Sequence, residues 1–309
     1  MTTTINNVNS FVSVCKSDLE ACIDMVEHTL CIKSVSAGVR FHHLKFDGNG
    51  MPMVKALAET LYRYIIEYCF STKDRPERLT SQQGLVLTKQ ARSLFRHPKI
   101  TDQTPDKTGE AGETLLFFLL EAIIGAPQLV AKMELKTNSN DEVKGSDGIH
   151  IKWNEDDNIV DFYFGESKLY KKISDAMDSA LKSIDDFHTN EMYRHEFGMA
   201  TKHYKYANNE VREAIKKLFI SGEPGSNVRI NHACLIGFDW NKFDTFDCSS
   251  SVPINQQFIN ELHKSMPLWV NLLDDKFSKF NRKYLRFDVF FIPFPSVVEF
   301  RNEFNRALD

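Results

Sequence analysis

A chain of 309 residues amounts to about two average domains at roughly 150 residues each, and it is long enough to bury a large core without covalent staples. Its 38 Lys and Arg against 42 Asp and Glu give a net charge of −4, and 42% hydrophobic with 26% charged residues is the make-up of a folded globular chain. These figures exclude a mini-protein, a disordered chain and a basic protein that wraps nucleic acid.

Alternation over Val39–Phe46, followed by Asp47-Gly48-Asn49-Gly50, predicts a strand entering a tight turn. Val54, Leu57, Leu61, Ile65 and Ile66 recur at helical spacing within Met53–Phe70, and Gln82–Phe95 carries a second helical pattern. The polar segment His97–Gly109 holds two prolines and no apolar period. It is the expected boundary between a mixed, mostly helical region over residues 1–105 and a second domain over residues 106–309. A helix over Glu110–Ile124 follows, stopped by Gly125 and Pro127. Three strands are expected next, over Leu129–Leu135, Gly148–Trp153 and Ile159–Lys168, the last two joined by the polar loop Asn154–Asn158. Helices near Ile173–Phe187 and over Asn209–Phe219 precede a strand in Val228–Phe238. A long helix over Ile254–Leu273, a strand over Leu285–Ile292 and a closing helix from Ser296 complete the series. The fold class is α/β, an αβββαβ core with a mixed central sheet and an additional mixed N-terminal region.

The six cysteines have irregular spacings and no C-x-x-C, which reads as small core hydrophobes in a reducing compartment. The opening MTTTINNVNS lacks the pattern of a leader, and the longest apolar run, Leu115–Leu120, is too short to cross a bilayer. A cytoplasmic protein without a membrane partner is expected. His188, His195, His203 and the pair His42-His43 have no acidic or cysteine companions at ligand spacing and receive no role. Neither Cys15 nor Cys22 carries a nucleophile signature. The Phe117-Phe118 and Phe290-Phe291 pairs read as core, while Phe238–Phe246 is either a partner-facing or a packed loop.

Chemistry concentrates in Gly145–Trp153 and Asp161–Lys172. On a strand, Phe162, Phe164, Glu166 and Lys168 share one face, and hairpin pairing brings Asp147 alongside Glu166 at the sheet rim. Two carboxylates and an amine then share one pocket. Phosphodiester hydrolysis needs such a set, because carboxylates hold a hard divalent cation and a lysine offsets the charge that develops on phosphate. D/E-x-K is expected about three times by chance at this composition and occurs four times, but only Glu166/Lys168 has an acid on the neighbouring strand. Taken alone the tripeptide would be a surface ion pair. Glu110 and Glu113 lie on one face of the next helix upstream, where first-turn acids are the ordinary helix start; one of them would complete a metal shell.

These segments together resemble the PD-(D/E)xK nuclease superfamily, with Ser146-Asp147 standing where the Pro-Asp would. More narrowly, GEAGETLLFFLLE, GSDGIHIKW and GESKLY are similar to the HamA-type effectors of Hachiman antiphage defence systems. The likeness is close over Glu110–Lys172 and weaker through most of the chain. It implies a restriction-endonuclease-like core, metal-dependent DNA cleavage and a superfamily 2 helicase partner, HamB, that restrains the nuclease until it meets foreign or damaged DNA. It further implies Asp147, Glu166 and Glu113 as ligands of Mg²⁺ or Mn²⁺, with Glu110 the alternative to Glu113, and Lys168 as the catalytic lysine. Ser146 departs from the pattern at a position that is not a ligand.

The net acidic chain has only Lys168, Lys171 and Lys172 as a local basic cluster for DNA, so weak unaided binding is expected. No G-x-x-x-x-G-K-[ST] is present, which leaves ATP hydrolysis to a partner. Two other readings stay open at this stage: a nuclease-fold adaptor of a helicase without activity, and a structure-specific repair nuclease.

Overall fold

The computed structural model describes residues 6–76, 78–95, 109–136, 145–206, 208–220, 223–246 and 252–309. A 3-10 turn at Asn6–Phe11 leads into α1 (Lys16–Glu20), β1 (Ile23–Val26), β2 (Ser36–Leu44), α2 (Val54–Arg63), α3 (Ile65–Cys69) and α4 (Ser81–Leu94). Next come α5 (Glu110–Leu119), β3 (Gly148–Asn154), β4 (Ile159–Tyr170), α6 (Ile173–Thr189), α7 (Met192–Lys202) and α8 (Asn209–Lys216). The chain ends through β5 (Phe219–Ile220), β6 (Glu223–Pro224), β7 (Val228–Asp239), α9 (Ile254–Ser278), β8 (Arg286–Phe294) and α10 (Val297–Leu308).

Among the described residues six strands form one sheet in the order β1-β2-β8-β7-β4-β3. The four inner strands are mutually parallel, and the two outer ones, β1 and β3, run antiparallel to their neighbours. Strands buried on both faces need apolar residues at both parities. Accordingly, β7 turns Ala233 and Leu235 into one cluster and Cys234, Ile236 and Phe238 into another. Helices α2, α5 and α10 cover the first face, and α6 and α9 the second. Towards β3, Ile149, Ile151, Phe162 and Phe164 pack with Phe197 and Ala200 of α7 and Val211 and Ile215 of α8. The chain is thus mixed α/β with a mixed central sheet. No helix among the described residues is long and apolar enough to cross a membrane.

The N-terminal strands belong to this sheet: β2 pairs with β8 over Ser36–Phe41 against Arg286–Phe291. The region therefore completes the fold, while the expected 105/106 boundary lies outside the described residues. The element over Leu129–Leu135 is a correction. Leu129 N–H donates to Ile149 O and Gln128 forms one bridge to His150, but Lys132–Leu135 then winds into a 3-10 turn. Its alternating charges do not face water as on a strand: Lys132 points to Glu196, and Glu134 accepts from the Ser71 N–H. The core order is therefore α5, β3, β4, α6, β7, two strands where three were expected.

The helix expected over Met53–Phe70 breaks at Tyr64, whose hydroxyl donates to Asp18. Helix α7 leaves no sequence signal: Glu191–His195 has no clear period, and the element starts from Glu191 at φ +51°. Phe238–Phe246 is a packed segment, with Trp240, Phe243 and Phe246 all against Phe258.

Helix α5 lies close on β4 because Gly112 has no side chain: a Cβ there would stand 3.1 Å from Ser167 Oγ and 3.2 Å from Leu169 Cγ. Gly112→Val should therefore push α5 off the strand and destabilise the protein by about 1–3 kcal/mol, the usual cost of overpacking. Chemical denaturation checks this; an unchanged midpoint would show that the helix has room to spare.

Candidate active site

A cleft opens where the edge strand ends. β3 begins with Gly148 opposite Gly165, so the last residues of β4 have no β3 neighbour on that side. The Asp147 N–H still donates to Gly165 O at 2.8 Å, which seats Asp147 across from Glu166 as the parity argument expects. The next β4 amide, Ser167 N–H, has no strand carbonyl to meet there. It donates instead to Asp147 Oδ2 at 2.6 Å, and the Ser167 hydroxyl donates to the same oxygen at 2.9 Å. The aspartate carboxylate thus replaces the missing ladder acceptor and is fixed in direction by it.

The resulting cleft, of about 450 Å³, is lined by Glu110, Glu113, Asp147, Glu166 and Lys168. Helix α5 brings the first two, the turn before β3 brings Asp147, and β4 brings the last pair. Glu110 and Glu113 differ in their surroundings. Glu110 is buried against Lys136, with Oε1 2.6 Å from Nζ, and the same ammonium donates to Leu94 O. Glu113 receives a long hydrogen bond of 3.4 Å from the Tyr68 hydroxyl and feels the charge of Asp147. Glu166 is held by Lys168 at 2.6 Å. Among the described residues no three His, Cys, Asp or Glu side chains converge on one ion-sized point. Each carboxylate is instead drawn to its own donor: Asp147 to Ser167, Glu166 to Lys168 and Glu110 to Lys136. Lys171 and Lys172 are exposed beyond the end of β4 and do not line the cleft.

Burial beside like charge dominates the electrostatics. Glu113 is pushed up to about 8, first by burial and then by Asp147 and Glu110. Glu166 is pushed up to about 7 by burial and by Asp147, against the pull of Lys168. Burial also raises Asp147, opposed by its Ser167 hydrogen bonds. Burial alone would lower Lys168, but the Glu166 contact outweighs it and holds the amine above its ordinary value, so it is an ammonium at neutral pH.

The sequence pattern missed four contributors: Ser167, Tyr68, Lys136 and Lys132. Ser167 sits inside the recognised GESK run, but its parity assigns it to the opposite face. Lys132 belongs to the segment that alternates like a strand and Lys136 directly follows it, while Tyr68 comes from a helix distant in sequence.

A carboxyl held above its unfolded value contributes stability that is present below the unfolded value, near 4.5, and is lost as pH rises through the folded one. For the metal-free protein, Glu113→Gln should therefore gain stability relative to wild type steadily as pH rises from about 4.5, with the difference levelling off above about pH 8. Thermal melts of the two proteins across that range measure it; a constant offset would mean that Glu113 is not charge-strained.

A search of curated proteins returns no match to this chain. Comparison with models of known families matches HamA over residues 20–308, a span that includes the whole cleft. The chain belongs to the HamA family, a component of Hachiman antiphage defence.

Proposed function

We propose that this chain is the nuclease effector of its defence system, hydrolysing DNA phosphodiester bonds with Mg²⁺, or Mn²⁺ in its place. The observation that carries the reading is the shared cleft of Glu113, Asp147 and Glu166 beside a protonated Lys168. Three cleft lysines are ion-paired, Lys136 with Glu110, Lys132 with Glu196 and Lys168 with Glu166. Asp147 and Glu113 have no ion pair among the described residues, and Asp147 Oδ1 makes no hydrogen bond there. Such a surplus of buried negative charge, offered entirely by oxygen donors, suits a hard divalent cation.

Asp147, Glu166 and Glu113 would hold the ion, and Glu110 stays with Lys136. Bound there, Mg²⁺ supplies a polarised phosphate oxygen and a water that ionises nearer neutral pH. Lys168 is the complementary group. As an ammonium it is a donor to phosphate and an offset for developing charge, not a proton acceptor. Glu166 keeps that ammonium in the cleft, and the Ser167 donors keep Asp147 aimed.

The charge of the chain bears on its control. A net −4 protein with Lys171 and Lys172 as its exposed cations beside the cleft holds DNA weakly by itself. Delivery of DNA by a partner helicase of the HamB type, superfamily 2, fits this weakness and the missing phosphate-binding loop.

Lys168→Ala and Glu166→Ala should each leave the fold and partner binding intact while lowering Mg²⁺-dependent plasmid degradation and phage protection by at least about a hundredfold. Full activity in either variant would remove the proposal. Calorimetric Mn²⁺ titration of wild type and Asp147→Asn gives a second check: binding that does not depend on Asp147 favours the adaptor reading.

A further inference from the structure

Two lysines line the cleft without contacting Glu110, and their hydrogen bonds separate them. Among the described residues Lys168 has one hydrogen-bonded partner, Glu166. Lys132, buried in the 3-10 turn after α5, is fully engaged: Nζ lies 2.6 Å from Ser146 O, 2.5 Å from Glu196 Oε1 and 3.4 Å from Ser146 Oγ. An ammonium has three donors, so none is left for a substrate.

Glu196, on α7, is completely buried. Its Oε1 also accepts from the Ser146 N–H at 2.8 Å, while Oε2 has no partner among the described residues. The residue before Ser146 makes this contact possible. Gly145 has φ +116°, and a Cβ on it would stand 1.9 Å from Glu196 Oε1. Both backbone polar groups of Ser146 are therefore bound by one buried ion pair, immediately before Asp147. A buried pair of this kind is a poor source of net stability, because desolvation cancels much of the attraction. Its effect is geometric: it fixes the direction in which the chain enters β3.

We propose that Lys132 and Glu196 form a positioning clamp that sets Asp147 for its cation through the backbone of Ser146, without touching ion or substrate. The inference rests on Asp147 being a metal ligand. It assigns a role to α7, which contributes no carboxylate to the cleft itself. Partners of ligand side chains typically change metal affinity by 10–100-fold when removed.

The test replaces the pair with uncharged side chains of similar size, Lys132→Met with Glu196→Leu, in the full chain. Mn²⁺ binding is followed by electron paramagnetic resonance, amide exchange at Ser146 and Asp147 by NMR, and folding by thermal melting. The expected result is a Tm within a few degrees of wild type, at least about tenfold weaker Mn²⁺ binding and faster exchange of both amides. Lys132→Met with Glu196→Gln restores an acceptor for the Ser146 N–H and should recover part of the amide protection and affinity. Unchanged Mn²⁺ affinity in the folded Met/Leu protein overturns the clamp. If the Met/Leu protein fails to fold, the Met/Gln protein is decisive, and wild-type affinity in it overturns the clamp. Wild-type protein that binds no Mn²⁺ overturns the nuclease reading instead; the clamp is then judged by exchange alone, and unchanged protection at Ser146 and Asp147 overturns it.

Discussion

The register of β3 against β4 is the constraint on which the cleft depends. Gly148 opposite Gly165 puts Ile149 and Ile151 with Phe162 and Phe164 in one apolar cluster, and the same parity carries Glu166 and Lys168 along the strand to its open end. A slip by one residue would send that whole apolar set to the other face and scatter the polar groups with it. The packing of four large hydrophobic side chains therefore fixes where two carboxylates and an ammonium meet. Starting β3 at that point leaves a β4 amide without a strand partner, and the Asp147 carboxylate accepts from it.

The cleft then accumulates charge that its surroundings only partly balance. Lysines are present, but each has a local duty: Lys136 ties α4 to Glu110, Lys132 ties the turn before β3 to α7, and Lys168 stays with Glu166. Glu113 and Glu166 respond by holding protons more tightly than free carboxyls do. Burial of like charge is unfavourable at this place, and three large apolar clusters offset it elsewhere.

Much of this was legible in the sequence because it follows local rules. Period-two alternation located β3 and β4 and put Asp147 next to Glu166, and helical spacing found α5, α6 and α9. Ser296 does cap α10 by accepting from the Glu299 N–H. Features decided by distant partners were not legible. Lys132–Leu135 alternates like a strand, yet it winds into a turn in which Lys132 is buried beside Glu196. The difference between Glu110 and Glu113 depends on Lys136 and Tyr68. None of these pairings leaves a pattern in its own segment.

The strand order has a consequence for how the protein is made. β8 lies between β2 and β7, so the N-terminal hairpin of β1 and β2 has no permanent neighbour until Arg286–Phe291 has left the ribosome. At about 5–20 residues per second, that interval is on the order of ten seconds or longer, with a strand edge open to wrong pairing throughout. Contacts this far apart along the chain also slow the search for the native topology. The finished sheet is thus a late event in biosynthesis, and a truncated polypeptide lacking the last 25 or so residues would leave that edge permanently unmatched.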